Sequence, residues 1–210
     1  MANLPSHLQE QLKNRNVIPF LGAGISTAVR AKETGEHLFP SWKELLERAV
    51  QRLRDEDHPD HANAISGLIG IGPEKYFEAA DLARQGLVGG TWFNFLKEQL
   101  DFSSDVVADD SLGLARAIWE LGNPLVITTN YDRVLHWACP NLSDLSPCDI
   151  EAPVEQLDAL RNGAQRPTLW HLHGSIDNAA NIILTPDGYA RLYPEAGDGE
   201  TRYKAALTTL

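Results

Sequence analysis

Cysteine is scarce in this chain: Cys139 and Cys148 are the only two in 210 residues, and they do not form a Cys-x-x-Cys pair. A four-thiolate zinc site is thereby excluded, a disulfide framework has too little material, and both residues are read as free thiols. Positive charge is also short. Eighteen Lys and Arg stand against 29 Asp and Glu, a formal net charge of −11. Phosphate backbones are bound chiefly through clustered Lys and Arg, so this segment is not expected to bind nucleic acid directly. An anionic ligand has to be held by backbone dipoles. No apolar run approaches the roughly 20 residues of a membrane span. The opening Met1-Ala2-Asn3-Leu4-Pro5 runs into polar sequence rather than into the basic-then-apolar pattern of a secretory signal. A cytoplasmic chain with no membrane partner is expected. A hydrophobic fraction of 43% with 22% charged residues is that of an ordinary globular protein, large enough for one domain carrying a small inserted subdomain. There is no internal repeat and no low-complexity stretch.

What the chain does have is an apolar run that empties into a glycine-rich turn, Val17-Ile18-Pro19-Phe20-Leu21-Gly22-Ala23-Gly24-Ile25-Ser26-Thr27. It reads as a buried strand feeding a loop that suits an anion. Gly22 and Gly24 would permit positive φ and a close approach of the backbone, and Ser26 and Thr27 would put hydroxyls at the start of the next helix. The spacing is Gly-x-Gly-x-x-Thr, lacking the third glycine of the dinucleotide fingerprint, and no Gly-Lys-Ser/Thr follows, so this is not a nucleoside triphosphate loop. A glycine turn with no ligand at all is the competing reading.

Residues 6–15, with Leu8 and Leu12 at i, i+4 behind a serine cap at Ser6, predict a short amphipathic helix ahead of the first strand. Residues 28–38 are charged and read as a loop or broken helix over the site. Pro40-Ser41-Trp42-Lys43-Glu44 opens a helix with Ser41 and Glu44 in a capping box. Helical patterns follow at about 60–69, 73–86 and 91–100, with Tyr76, Phe77, Trp92, Phe93 and Phe95 read as the core of a helical insertion at about 41–110 rather than as a cofactor box. Residues 101–110 read as a linker and 111–121 as another helix, ended by Gly122-Asn123-Pro124.

Leu125-Val126-Ile127-Thr128-Thr129 then looks like a buried parallel strand, ending in Asn130-Tyr131-Asp132. Polar groups at the C-terminal edge of such a strand are where open α/β sheets place ligand chemistry, although Asp132 can equally cap the helix that follows. Residues 139–166, rich in Pro, Asn and Asp with a weak helix at Val154 to Arg161, are uninformative. Thr168-Leu169-Trp170-His171-Leu172-His173-Gly174 reads as a third strand with His171 and His173 on one face by the period of two, one of them toward the crevice. Ile182-Ile183-Leu184 reads as a fourth short strand. Thr185-Pro186-Asp187 caps a helix with proline in its first turn, and a helical pattern runs from Glu200 to Leu210.

Gly22-Ala23-Gly24-Ile25-Ser26, Thr128-Thr129-Asn130-Tyr131-Asp132 and His173-Gly174 stand in the order of the sirtuin family. The chain resembles most closely the divergent, zinc-free bacterial sirtuin-like domains of anti-phage systems, in which the glycine loop is followed by a helix start like Pro40-Ser41-Trp42. The Pro-Asp-Phe-Arg segment of deacylating sirtuins is missing, the usual glutamine before the asparagine is Thr129, and there is no cysteine tetrad. The resemblance implies a Rossmann-like, mostly parallel α/β sheet with a helical insertion and no zinc module, using NAD as substrate and no metal. Gly22, Ala23, Gly24, Ser26 and Thr27 would bind the pyrophosphate, and Asp132 would support the loop. Asn130 would place the ribose and orient a water, with His173 as general base. The implied activity is NAD hydrolysis at the nicotinamide–ribose bond, as a defence effector. NAD-dependent deacylation and a non-catalytic NAD or ADP-ribose sensing module are the alternatives. Sirtuin-like domains normally continue into an apolar strand and a Gly- and Ser-containing turn for the adenosine side. The 210 residues are therefore expected to be a C-terminally truncated single domain, with further domains or partners beyond it and an oligomer compatible with this layout.

Overall fold

Four short stretches become strands: β1 (Phe20–Leu21), β2 (Leu125–Thr128), β3 (Ser146–Cys148) and β4 (Thr168–His171). The computed structural model, which describes residues 4–149, 154–163 and 165–193, joins them into one parallel sheet in the order β1-β2-β4-β3. All residues of β2 and β4 are buried, as expected of inner parallel strands covered on both faces. Side chains alternate between those faces. Val126 and Leu169 enter the larger apolar cluster, together with Leu46, Leu53, Ile65 and Phe95 of the helical section. Leu125, Ile127 and Trp170 enter a smaller one with Cys148, Leu157, Ile183 and Leu192. The result is a mixed α/β, Rossmann-like layering of helices on both sides of a parallel sheet.

Parallel neighbours require long crossovers, and the one between β1 and β2 carries most of the helices. After α1 (Ser6–Lys13), which buries no side chain, come α2 (Gly24–Thr27), α3 (Trp42–Asp55), α4 (Pro59–Ile71), α5 (Tyr76–Gly86), α6 (Gly90–Leu100) and α7 (Gly113–Glu120). The start of α3 is fixed by the expected capping box: Ser41 N–H donates to Glu44 Oε2 at 2.7 Å and Glu44 N–H to Ser41 Oγ at 3.3 Å. Trp92 and Phe95 are buried and stacked at 5.8 Å, a core role as expected. The later elements are α8 (Val134–Trp137), α9 (Val154–Arg161) and α10 (Pro186–Leu192). No helix among the described residues is long and apolar enough to cross a membrane.

Three expectations need correction. The first strand is not buried: β1 lies at the sheet edge, with Phe20 60% exposed and Leu21 half-buried. Residues 182–184 form no strand: Ile183 and Leu184 are buried because they plug opposite clusters, while Ile183 N–H donates to the carbonyl of His173 at 2.8 Å. The fourth strand is instead β3, whose Ser-Pro-Cys sequence lacks any strand signature. Its place at the sheet edge is where a proline is tolerated. Helix α1 is also not capped by Ser6. Pro5 takes the N-cap position without a side-chain cap bond, and its carbonyl accepts from Gln9 N–H at 3.1 Å. The helical pattern from Glu200 to Leu210 lies outside the described residues.

The register positions the site. Leu21 pairs with Thr128 and Thr128 with His171, so β1, β2 and β4 end level. The loops that follow them meet at one edge, where an open α/β sheet binds its ligands.

Candidate active site

At that edge a cleft of about 710 Å³, counted out to its open mouth, is lined by Ala23, Ser26 and Thr27, by Thr129, Asn130, Tyr131 and Asp132, and by His173. The wall opposite these polar groups is apolar, built from Phe39, Pro40, Trp42, Leu45, Leu100, Leu184 and Tyr189. Trp42, at the start of α3, meets Tyr76 and Phe77 of α5 at ring distances of 6.4 and 5.6 Å. Among the described residues that line the cleft there is no Lys or Arg, which accords with a segment short of positive charge.

The polar floor is a single hydrogen-bonded unit. Asn130 Nδ2 donates to Ser26 Oγ at 2.7 Å, and Ser26 Oγ donates to Asp132 Oδ2 at 2.6 Å. Val134 N–H donates to Asp132 Oδ1 at 3.0 Å. Asp132 thus caps α8 with one oxygen and braces the glycine-loop serine with the other. Burial pushes the Asp132 carboxyl above its ordinary value, opposed by the bonds from Ser26 and the Val134 amide. Asn130 is further fixed through its backbone, its N–H donating to Thr128 Oγ1 at 3.0 Å and its carbonyl lying 2.8 Å from His171 Nδ1. A carbonyl can only accept, so His171 Nδ1 carries the proton. Among the described residues Asn130 Oδ1 has no protein partner, leaving it available to a ligand.

The two histidines part company because β4 ends at His171 and the period of two stops there. His171 is fully buried, stacked at 5.3 Å on His136 of α8, and only His173 lines the cleft. Burial pushes the imidazoles of His171 and His173 below their ordinary value, so both are neutral near pH 7. Gly174 makes the turn after His173 with φ of +92°, and a Cβ there would lie 2.9 Å from the Asn181 carbonyl oxygen. Glycine is required at this position by both conformation and space.

The glycine loop departs from expectation. Neither Gly22 nor Gly24 has a positive φ. A Cβ on Gly22 would make ordinary contact with Thr129 Oγ1 at 3.8 Å, and one on Gly24 would meet nothing within 4 Å. These glycines keep space clear over the turn rather than permitting its conformation. The amides of Ile25, Ser26 and Thr27 are satisfied within the turn by the carbonyls of Gly22 and Ala23. The Thr27 hydroxyl donates to the Gly24 carbonyl at 3.1 Å. Gly22 and Gly24 face a second depression, lined by Phe20, Leu21, Ala23, Ile25, Leu114 and Ile118, and Ala23 is the ridge shared with the main cleft. The structure therefore brings Ala23, Ser26, Thr27, Asn130, Asp132 and His173 into one cleft and sets Gly22 and Gly24 on its far shoulder.

A family model for the SIR2-like domain matches residues 124–210. None of the curated proteins compared with the chain matches it. The SIR2-like segment contains Asn130, Asp132 and His173. The glycine loop reaches the same cleft from outside it, through Ser26. The segment also contains α10, whose residues were not singled out by sequence reasoning: Tyr189 lines the cleft, with its hydroxyl 3.3 Å from His173 Nδ1. Their signal was the Tyr189/Tyr193 spacing of four, which places two phenols on one helix face.

Proposed function

We propose that this chain hydrolyses NAD at the nicotinamide–ribose bond. The observation that carries the reading is the Asn130–Ser26–Asp132 unit, which ties the glycine loop to the β2 loop beside His173 in one cleft. Its support is the SIR2-like match over the segment holding Asn130 and His173, because sirtuin-type domains use NAD. With no cationic side chain among the described residues of the cleft, the pyrophosphate falls to backbone amides. Those of Ala23 and Gly24 donate to no protein acceptor among the described residues. The two depressions on either side of Ala23 suit the two halves of a dinucleotide.

In the proposed reaction the bond from the ribose anomeric carbon to the nicotinamide nitrogen breaks, and its electron pair returns to the pyridine ring. The ribose passes through an oxocarbenium-like state, which rewards accurate placement more than a strong acid. Asn130 Oδ1 holds the ribose and orients a water. That water bonds to the anomeric carbon and loses its proton to His173, a neutral imidazole suited to the task. In the anti-phage setting that the sequence resemblance implies, NAD depletion is the output.

The test is nicotinamide release by the purified protein with and without an acylated peptide. Release that needs no peptide and yields ADP-ribose is expected. Strict dependence on the peptide would establish deacylation instead, and NAD binding without turnover would establish a sensing module.

A further inference from the structure

The two strands that flank the site part in a defined way. Parallel neighbours are joined by evenly spaced bonds, and between β2 and β4 Thr168 N–H donates to the Pro124 carbonyl at 2.7 Å and Leu172 N–H to the Thr128 carbonyl at 2.9 Å. The next rung of this ladder would join Gly174 N–H to the Asn130 carbonyl. Instead Gly174 N–H turns back to the His171 carbonyl at 3.2 Å, so the chain leaves the sheet, and Asn130 and His173 both come to line the cleft. The chain returns to the β2 loop at Ile176, whose N–H donates to the Tyr131 carbonyl at 2.8 Å. The Asn130 carbonyl has thus lost its rung on a buried residue, and a buried carbonyl needs a donor. That donor is the His171 ring. The register sets His171 beside Thr128, two residues before Asn130, and its Nδ1–H meets the Asn130 carbonyl at 2.8 Å.

We propose that His171 is the positioning residue of Asn130: its imidazole takes the place of the missing rung, and so fixes the Asn130 peptide and aims its side chain while the strands stand apart. The Asn130 N–H is tied to Thr128 Oγ1, its carbonyl to His171 Nδ1 and its Nδ2 to Ser26 Oγ, which leaves Oδ1 for the substrate. The His171 ring is itself held. It is 1% exposed and stacked on His136 at 5.3 Å, with 18° between the planes. Its Nε2 has no partner among the described residues. An apolar ring would fill the same space without burying a bare nitrogen, so the imidazole is there for its Nδ1–H.

This inference rests on the role of Asn130 in the proposed hydrolysis, and its test separates the two by pairing turnover with NMR of the whole chain. His171→Phe keeps a ring on the stack and removes the donor. His171→Asn gives up the ring and puts a side-chain amide N–H where Nδ1–H was. The wild type is expected to show His171 as the Nδ1–H tautomer. The Asn130 side-chain amide signals are expected to be displaced in His171→Phe and to stay near their wild-type positions in His171→Asn. NAD hydrolysis is expected to lose about tenfold in kcat in His171→Phe with KM unchanged, and to stay within about threefold of the wild type in His171→Asn, although loss of the ring contacts lowers its thermal midpoint. A role in packing alone predicts the reverse order, with the ring-keeping Phe variant the more active. That order, a bare Nδ1 in the wild type, or unmoved Asn130 signals in His171→Phe overturns the proposal. Absence of NAD turnover in the wild type, with the NMR signals as described, overturns the hydrolase reading alone.

Discussion

Ser26 carries more of the site than its size suggests. Its hydroxyl accepts from Asn130 and donates to Asp132, so its proton is not available to a phosphate, the role that the sequence pattern gave it. Removing it leaves a buried carboxylate and a buried amide each short of a partner, a loss of about 1–3 kcal/mol. Ser26→Ala is expected to lower the thermal midpoint and to reduce kcat with KM nearly unchanged. A rise in KM at constant kcat would instead return Ser26 to pyrophosphate binding, and steady-state kinetics separate the two. Asn130, Asp132 and His173 were legible in the sequence because each follows a short apolar strand, and in a parallel sheet that places a polar residue at the ligand edge. The bond partners of Ser26 were not, because they lie over 100 residues away and depend on strand register. The shared face expected of His171 and His173 failed for a related reason: the period of two holds only while the strand lasts, and β4 ends at His171.

At the level of elements, the turn after β4 is the most constrained point near the site. Gly174 adopts a left-handed φ, and any Cβ runs into the backbone of residues 181–182. Gly174→Ala is expected to cost about 2 kcal/mol or more and to lower the thermal midpoint by several degrees. An unchanged midpoint in a melting experiment would contradict this account of the turn. The helices of the insertion were readable from their periodicity and from the capping box at Ser41. The exchange of one strand for another fell on three-residue segments, where periodicity has too few residues to speak. Ile182-Ile183-Leu184 is apolar because it plugs two clusters, while Ser146-Pro147-Cys148 pairs only because β4 offers it an edge. Helix α10 was legible as a helix, yet the contacts of its two tyrosines with His173 depend on how the chain returns across β4.

For the whole molecule, two layers of helices bury titratable groups behind the sheet as well as in the cleft. His136 stacks on His171, neither of its ring nitrogens has a partner among the described residues, and burial pushes its imidazole down from 6.5 to about 4. The unfolded chain binds this proton below pH 6.5 and the folded chain does not until about pH 4. Stability is therefore fullest above that window and falls as pH drops through it, by about 3 kcal/mol for this group. His171, also pushed down by burial, acts with the same sign, whereas Asp132, pushed up, acts with the opposite sign. His136→Phe, which keeps a ring on the stack, is expected to flatten the fall, and melting curves from pH 7 to pH 4 check it. A slope equal to that of the wild type would show that His136 is already protonated in the fold.

The central claim, that the cleft breaks the nicotinamide–ribose bond with Asn130 and His173, is tested most directly by NAD consumption of the wild type beside Asn130→Ala and His173→Ala, each matched for its thermal transition. Turnover by the wild type and a loss of about a hundredfold or more in each variant, with folding intact, is the predicted result. Equal NAD consumption by wild type and variants would contradict it.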